Sequence, residues 1–170
     1  MIYQGLQGVG KNTWAPDFLQ WVYGYHNIWC ANGVAHVMNN LVGIENKRLV
    51  VVNECASTWE ELKPTFDKFK TLITDSPQSI RRLYFDPYDI QNISNFIFAT
   101  NHKDSIVVEG LDRHCAPFAL SEEHRNDEIF RAECFNQEVA NAFYSWLLEA
   151  KDFVIVPLNK PPNTELRSEF

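Results

Sequence analysis

The sequence predicts an α/β protein with a mostly parallel central sheet flanked by helices. Three observations lead there. Two continuous apolar runs, Leu49-Val50-Val51-Val52 and Phe96-Ile97-Phe98-Ala99, end in polar residues, as strands buried on both faces do. Stretches with apolar residues at helical spacing alternate with these runs, the pattern of a parallel sheet with crossover helices. A glycine-rich loop separates a short strand-like start from the first helical stretch.

The elements follow in order. Residues 2–4 end a first strand, and residues 5–13 form the loop. An amphipathic helix comes next, with Trp14, Phe18, Trp21, Val22 and Tyr25 on one face. Pro16 is tolerated there because it lies near the first turn. Residues 34–41 predict a short helix. The run from Leu49 ends at Asn53 and Glu54. Pro64 is expected to open a helix carrying Phe66, Phe69 and Leu72, which Ser76-Pro77 ends. Residues 83–85 read as an edge strand or one arm of a hairpin, with a turn at Asp86-Pro87. The second buried strand ends at Thr100 and Asn101. Ile129, Phe135, Val139, Phe143, Trp146 and Leu147 predict one long amphipathic helix over residues 127–149. Residues 1–156 are thus expected to form one core, and the proline-containing residues 157–170 an exit segment. So few residues precede the loop that the chain reads as a piece of a larger protein.

Composition narrows the classes. The 170 residues suit one domain, and 45% hydrophobic residues are too many for a disordered chain. No apolar run is long enough to span a bilayer, and no signal peptide is visible, so the expectation is a soluble, intracellular protein with no membrane partner. The four cysteines form no C-x-x-C pair and read as free thiols in a reducing compartment. The spacing of His114, Cys115, His124 and Cys134 matches no common zinc module. A net charge of −7 argues against a simple duplex-DNA binder. It is compatible with a ring in which a few basic residues line a channel.

Four motifs carry chemistry. GLQGVGKNT, from Gly5 to Thr13, fits the phosphate-loop pattern at Gly5, Gly10 and Lys11, with Gly8 between them. Glycines let the backbone wrap a phosphate so that amide N–H groups point inward, and the lysine adds a point charge. The pattern asks for Ser or Thr after the lysine to bind Mg²⁺. Asn12 stands there instead, so Asn12 or Thr13 is the expected metal contact. At the second motif, VVVNE, Glu54 is placed to act as general base on a water. Asn53 takes the place of a metal-binding aspartate. In the third, FIFATN, Asn101 is suited to orient that water. In the fourth, Asp112-Arg113-His114, Arg113 is suited to neutralise charge on a transferred phosphoryl group from a neighbouring subunit.

The series GLQGVGKNT, VVVNE, FKTLITDSPQSIRRLYFDPYDI, NFIFATN and LDRH resembles the superfamily 3 helicases, above all the primase–helicases of viruses, phages and plasmids. The resemblance spans nearly the whole chain. It implies an AAA+-type P-loop domain, ATP and Mg²⁺ as cofactors, a homo-hexamer, a linked primase domain, and 3′-to-5′ movement on single-stranded DNA during replication. Carried over, Lys11 is the phosphate-loop lysine, Glu54 the catalytic base, Asn101 the polar sensor and Arg113 the finger acting in trans. His114 stands where the family often has a second arginine. The segment between Glu54 and Asn101 corresponds to the family's DNA-facing hairpin motif, making Lys68, Lys70, Arg81 and Arg82 candidate DNA contacts. Tyr84, Phe85 and Tyr88 are of a type to stack on bases, but packing within the hairpin or core is their expected role. The alternative reading is a truncated or degenerate P-loop domain that binds nucleotide, DNA or partners without turnover. A small-molecule kinase would need an arginine-bearing lid that the sequence does not show.

Overall fold

The computed structural model describes residues 1–53, 59–101 and 115–150. Its strands are β1 (Ile2–Gln4), β2 (Ile28–Asn32), β3 (Leu49–Asn53), β4 (Gln78–Ile80), β5 (Tyr88–Ile90), β6 (Asn95–Thr100) and β7 (Pro117–Ala119). Its α-helices are α1 (Leu19–Tyr23), α2 (Val34–Asn39), α3 (Trp59–Thr74), α4 (Glu128–Cys134) and α5 (Gln137–Glu149). Five strands form a sheet in the order β2-β3-β6-β1-β7, and every pairing in it is parallel. β4 and β5 form a separate antiparallel hairpin.

The buried runs explain the layering. Successive residues of a strand point to opposite faces. Val50 and Val52 of β3, with Phe96 and Phe98 of β6, enter one core with Val34 and Val37 of α2 and Phe69 and Leu72 of α3. Leu49 and Val51, with Ile97, enter the other core with Phe18, Leu19 and Ala140. The sheet is therefore covered on both sides, as parallel sheets require. Phe69 meets Phe96 and Phe98 edge to face, at ring-centroid distances of 4.8 and 5.1 Å. On the opposite side Phe18 sits among Trp14, Phe135 and Phe143.

Several boundaries differ from the expectation. The helix after the loop is broken: Ala15 has extended backbone angles (φ −129°, ψ 111°), and the regular helix begins only at Leu19. Proline disfavours helical geometry in the residue before it, which accounts for the break. Tyr25 lies in a separate short turn and is exposed. α3 begins at Trp59, five residues before Pro64, so the proline lies inside the helix rather than opening it. Residues 83–85 belong to the hairpin loop, not to a strand. Tyr84 has φ +67°, which no strand accommodates. The long C-terminal helix is two helices. Asn136 separates them and caps α5, its side chain accepting from the Val139 N–H at 3.0 Å. β2 and β7 were not anticipated. The proposed exit segment, residues 157–170, lies outside the described residues. Among the described residues no helix is long and apolar enough to cross a membrane.

Phe69→Ala should cost about 3–5 kcal/mol of unfolding free energy in urea denaturation, because the sheet face cannot collapse into the space left. Lys68→Ala, exposed on the same helix, should change it by less than about 0.5 kcal/mol.

Candidate functional site

In a parallel sheet all carboxyl ends lie on one side. Here the register aligns them closely: Asn32 pairs with Asn53, Val52 with Phe98, and Gln4 with Thr100. The connection leaving β1 runs to β2 at one edge of the sheet, while that leaving β6 runs to β7 at the other. Neighbouring strands whose connections depart in opposite directions open a crevice at their carboxyl ends, where ligands of such sheets bind. β1 and β6 are that pair. The Gly5 N–H donates to the Thr100 carbonyl at 3.3 Å, so the glycine-rich loop starts at the crevice.

A cavity of about 580 Å³ occupies the crevice. The loop supplies Gly8, Gly10, Lys11, Asn12 and Thr13 to its wall. The strand ends supply Asn32, Asn53 and Asn101, and the segment after β7 supplies Asn126 and Arg131. Among the described lining residues there are two cations, five asparagines and no carboxylate. Such a wall suits a polyanion, and dissociable metal ions only through neutral oxygens.

Hydrogen bonds to its carbonyls hold the loop in place. Lys11 Nζ donates to the carbonyls of Gly5 (2.6 Å) and Leu6 (2.8 Å). An ammonium has three protons to give, so one remains for an anion. Burial pushes the Lys11 pKa below the usual lysine value. Arg125 Nε donates to the Gln7 carbonyl (3.0 Å), and the Asn126 N–H donates to the Gly8 carbonyl (3.0 Å). Gly8 and Gly10 have φ of +92° and +89°, a region that disfavours any side chain. Gly8 is also crowded: a Cβ there would meet Asn126 Oδ1 at 2.1 Å. The Trp14 N–H bonds the Gly10 carbonyl at 2.9 Å, starting the helical turn beyond the loop.

One polar atom is left over. Asn53 Oδ1 is buried and has no hydrogen-bond partner among the described residues. A buried acceptor without a donor is costly, and at a ligand cavity it fits an oxygen reserved for a metal-bound water or a donor on the ligand. Asn53 and Thr13 both line the cavity, as does Asn12, so the three expected metal contacts border one space. An oxygen set of this kind fits Mg²⁺, which keeps several waters and takes its charge from phosphates.

The expected site residues are thus only partly brought together. Lys11, Asn12, Thr13, Asn53, Asn101, Gly8 and Gly10 share the cavity; Gly5 does not line it and is bonded to the end of β6 instead. Glu54 and Arg113 lie outside the described residues. Lys68, Lys70, Arg81 and Arg82 do not line the cavity. Lys68 and Arg81 are exposed, and Arg82 is bonded to Glu45, whose carboxylate also accepts from Tyr88 Oη at 3.0 Å. That guanidinium holds the Glu45 pKa below the usual carboxylate range. Tyr84 is 94% exposed, and Leu83 and Phe85 beside it are exposed too, so the hairpin tip does not pack as expected. His124 is engaged with Asp127 (3.3 Å) and lies flat on Phe130. Sequence reading missed Arg125, Asn126 and Arg131, because nothing local to them signals a loop more than a hundred residues away.

Residues 3–114 match a family of unknown function, DUF5906. The chain belongs to that family. The DUF5906 match covers the loop, β3 and β6, and stops before β7 and the segment that clamps the loop. Among solved structures, the chain is similar to the NrS-1 C-terminal region. An apo structure of that region (305–718) gives a TM-score of 0.78 at 23% identity, covering 99% of this chain and 41% of that one. An A-form apo structure gives 0.75 at 24% identity, covering 99% and 40%. At this identity the likeness is one of fold. This DUF5906 chain spans about two fifths of the length of those solved chains. No curated protein matches it.

Gly8→Ala should unfold at a lower temperature than the parent, through both the Asn126 clash and an unfavourable φ worth about 1–2 kcal/mol. Adding Asn126→Gly should restore only the steric part. A double variant no more stable than Gly8→Ala in thermal melting would show that the clash is not what requires glycine.

Proposed function

We propose that this chain is the ATP-hydrolysing core of a ring-forming superfamily 3 helicase. In this reading it binds Mg·ATP at subunit interfaces and moves on single-stranded DNA during replication. The observation that carries the reading is the cavity at the β1/β6 crevice, where a positive-φ glycine loop, Lys11 and Arg131 face a space free of carboxylates among the described lining residues. Backbone amides at a helix start and two cations suit a triphosphate. Thr13, Asn12 and Asn53 would hold Mg²⁺, which supplies charge neutralisation at the phosphates when bound.

The chain's own residues have separable tasks. Lys11 and the loop amides bind and orient the phosphates. Asn101, at the end of β6, orients the attacking water, and Glu54, directly after β3, takes its proton. Arg113 acts in a neighbouring subunit's site, so an isolated subunit would be nearly inactive. The hairpin tip supplies the DNA contact: Arg81 offers a phosphate partner, and the exposed ring of Tyr84 a stacking surface. A family of unknown function and a likeness of fold to the NrS-1 C-terminal region are compatible with this reading. A linked primase domain would belong to the longer protein. The second reading, nucleotide binding without turnover, is favoured by Asn53, an amide where a metal-binding carboxylate is expected.

Steady-state ATPase activity across protein concentrations separates the two. The motor predicts turnover that rises more than proportionally with concentration and increases with single-stranded DNA. Lys11→Ala should lose nucleotide binding, and Glu54→Gln should bind ATP without hydrolysing it. Parental turnover in both variants would refute the site assignment, and tight binding without turnover in the parent would favour the second reading.

Arg81→Ala should weaken single-stranded DNA binding and reduce its salt dependence by about one counterion. Tyr84→Ala should weaken it about tenfold with the salt dependence unchanged. Unaltered DNA affinity in both, measured by fluorescence anisotropy, would remove the hairpin tip from the DNA path.

A further inference from the structure

The opposite end of the sheet carries a second cavity, of about 650 Å³, which shares no described lining residue with the first. Leu49, Asn95 and Phe96, from the amino ends of β3 and β6, line it with Met1 and Ile2. Leu19, Val22 and Tyr23 of α1 border it on one side, and Phe143, Tyr144 and Leu147 of α5 do so as well. None of the described lining residues has a charged side chain. Tyr23 and Tyr144 are 43% and 47% exposed, so the lining reaches the surface as a groove. Leaving that much apolar lining in contact with water is costly.

We infer that this groove seats residues 153–158 of the same chain. Place, reach and composition carry the inference. α5 delivers the chain to the groove: Leu147 lines it, the helix ends at Glu149, and Ala150 leaves with extended backbone angles (φ −64°, ψ 115°). The three residues from Ala150 to Phe153 can reach about 10 Å. The run Phe153-Val-Ile-Val-Pro-Leu158 then follows, bracketed by Lys151-Asp152 before it and Asn159-Lys160 after it. Val154, Ile155 and Val156 are β-branched and favour extended backbone, which suits a groove between two helices and the ends of strands. The size agrees too. A leucine-sized void is about 150 Å³, so the groove has room for about four such side chains. The run supplies Phe153, Val154, Ile155, Val156 and Leu158. Beyond Lys160 the sequence turns polar and offers no comparable run.

The seat bears on the phosphate loop without obstructing it. Trp14 and Phe143 both line the groove and meet edge to face at 6.5 Å, and the Trp14 N–H bonds the Gly10 carbonyl. A filled groove therefore backs the residue on which the end of the loop rests. The first cavity, at the carboxyl ends of the strands, stays open.

Disulfide trapping in the full chain tests the seat, with the bond located by peptide mapping. Tyr23→Cys combined with Ile155→Cys should close an intramolecular disulfide at least about tenfold faster than Tyr23→Cys combined with Ser168→Cys. Docking raises the effective concentration of residue 155 above that of a free tether, whereas the longer tether to residue 168 changes closure only slightly. In separate single variants, Ile155→Asp should lower the melting temperature by at least about 4 °C, because it brings a carboxylate into an apolar seat. It should also raise the fluorescence of anilinonaphthalene sulfonate above the parent's, and Thr164→Asp should do neither. Equal trapping rates, or parental melting and dye fluorescence in Ile155→Asp, would overturn the inference. So would a disulfide that joins two chains and forms faster at higher protein concentration, since a second copy's segment would then hold the groove. None of these variants alters a lining residue of the first cavity, so each outcome leaves the phosphate reading standing.

Discussion

The site stands on the parallel pairing of β1 with β6 on one side and β7 on the other. β1 has only three residues, yet its carboxyl end fixes the start of the glycine-rich loop. The Met1 carbonyl accepts from the Phe98 N–H, and the Leu120 N–H donates to the Gln4 carbonyl, so both ends of the strand are tied into its neighbours. A slip of one residue in this register would turn Ile2 out of its core and move Gly5 away from Thr100. The crevice, the loop and the row of strand-end asparagines all depend on that alignment.

The two cores bear on the site differently. The core under α2 and α3 packs aliphatic side chains around the cluster of Phe69, Phe96 and Phe98, which ties α3 to β6. The opposite core adds an aromatic cluster: Trp14 and Phe18, from the helical segment after the loop, interlock with Phe135, between α4 and α5, and with Phe143 of α5. The loop is thereby gripped at both ends by the C-terminal part of the chain. Arg125 and Asn126 hold its carbonyls, and Phe135 and Phe143 hold the residues that follow it.

Much of this was legible in the sequence because it is local. The apolar runs at residues 49–52 and 96–99 become β3 and β6, since four successive apolar residues bounded by polar ones suit a strand covered on both faces. Lys11 and Gly10 were legible because a phosphate loop is a contiguous backbone device. β2 and β7 were not. Ile28–Asn32 shows no alternation, and Pro117–Ala119 is three residues long and begins with proline, so each owes its existence to a partner strand already in place. The division of α4 from α5 was hidden because the apolar spacing runs on across Asn136, whose capping bond outweighs one more helical turn. Asn126 and Arg131 carry no signature at all; only the fold brings them to the loop.

The bond from Arg125 to Gln7 joins residues 118 apart in sequence. A contact of such range forms late, because the chain entropy of closing so large a loop is lost before the contact returns anything. On a ribosome the order is stricter still. The glycine-rich segment leaves the exit tunnel first, with its lysine in place, and the arginine that sets the Gln7 carbonyl follows 118 residues later. Competence to hold a ligand is therefore acquired only once that later segment has emerged, and until then the nascent loop waits for the residues that finish it.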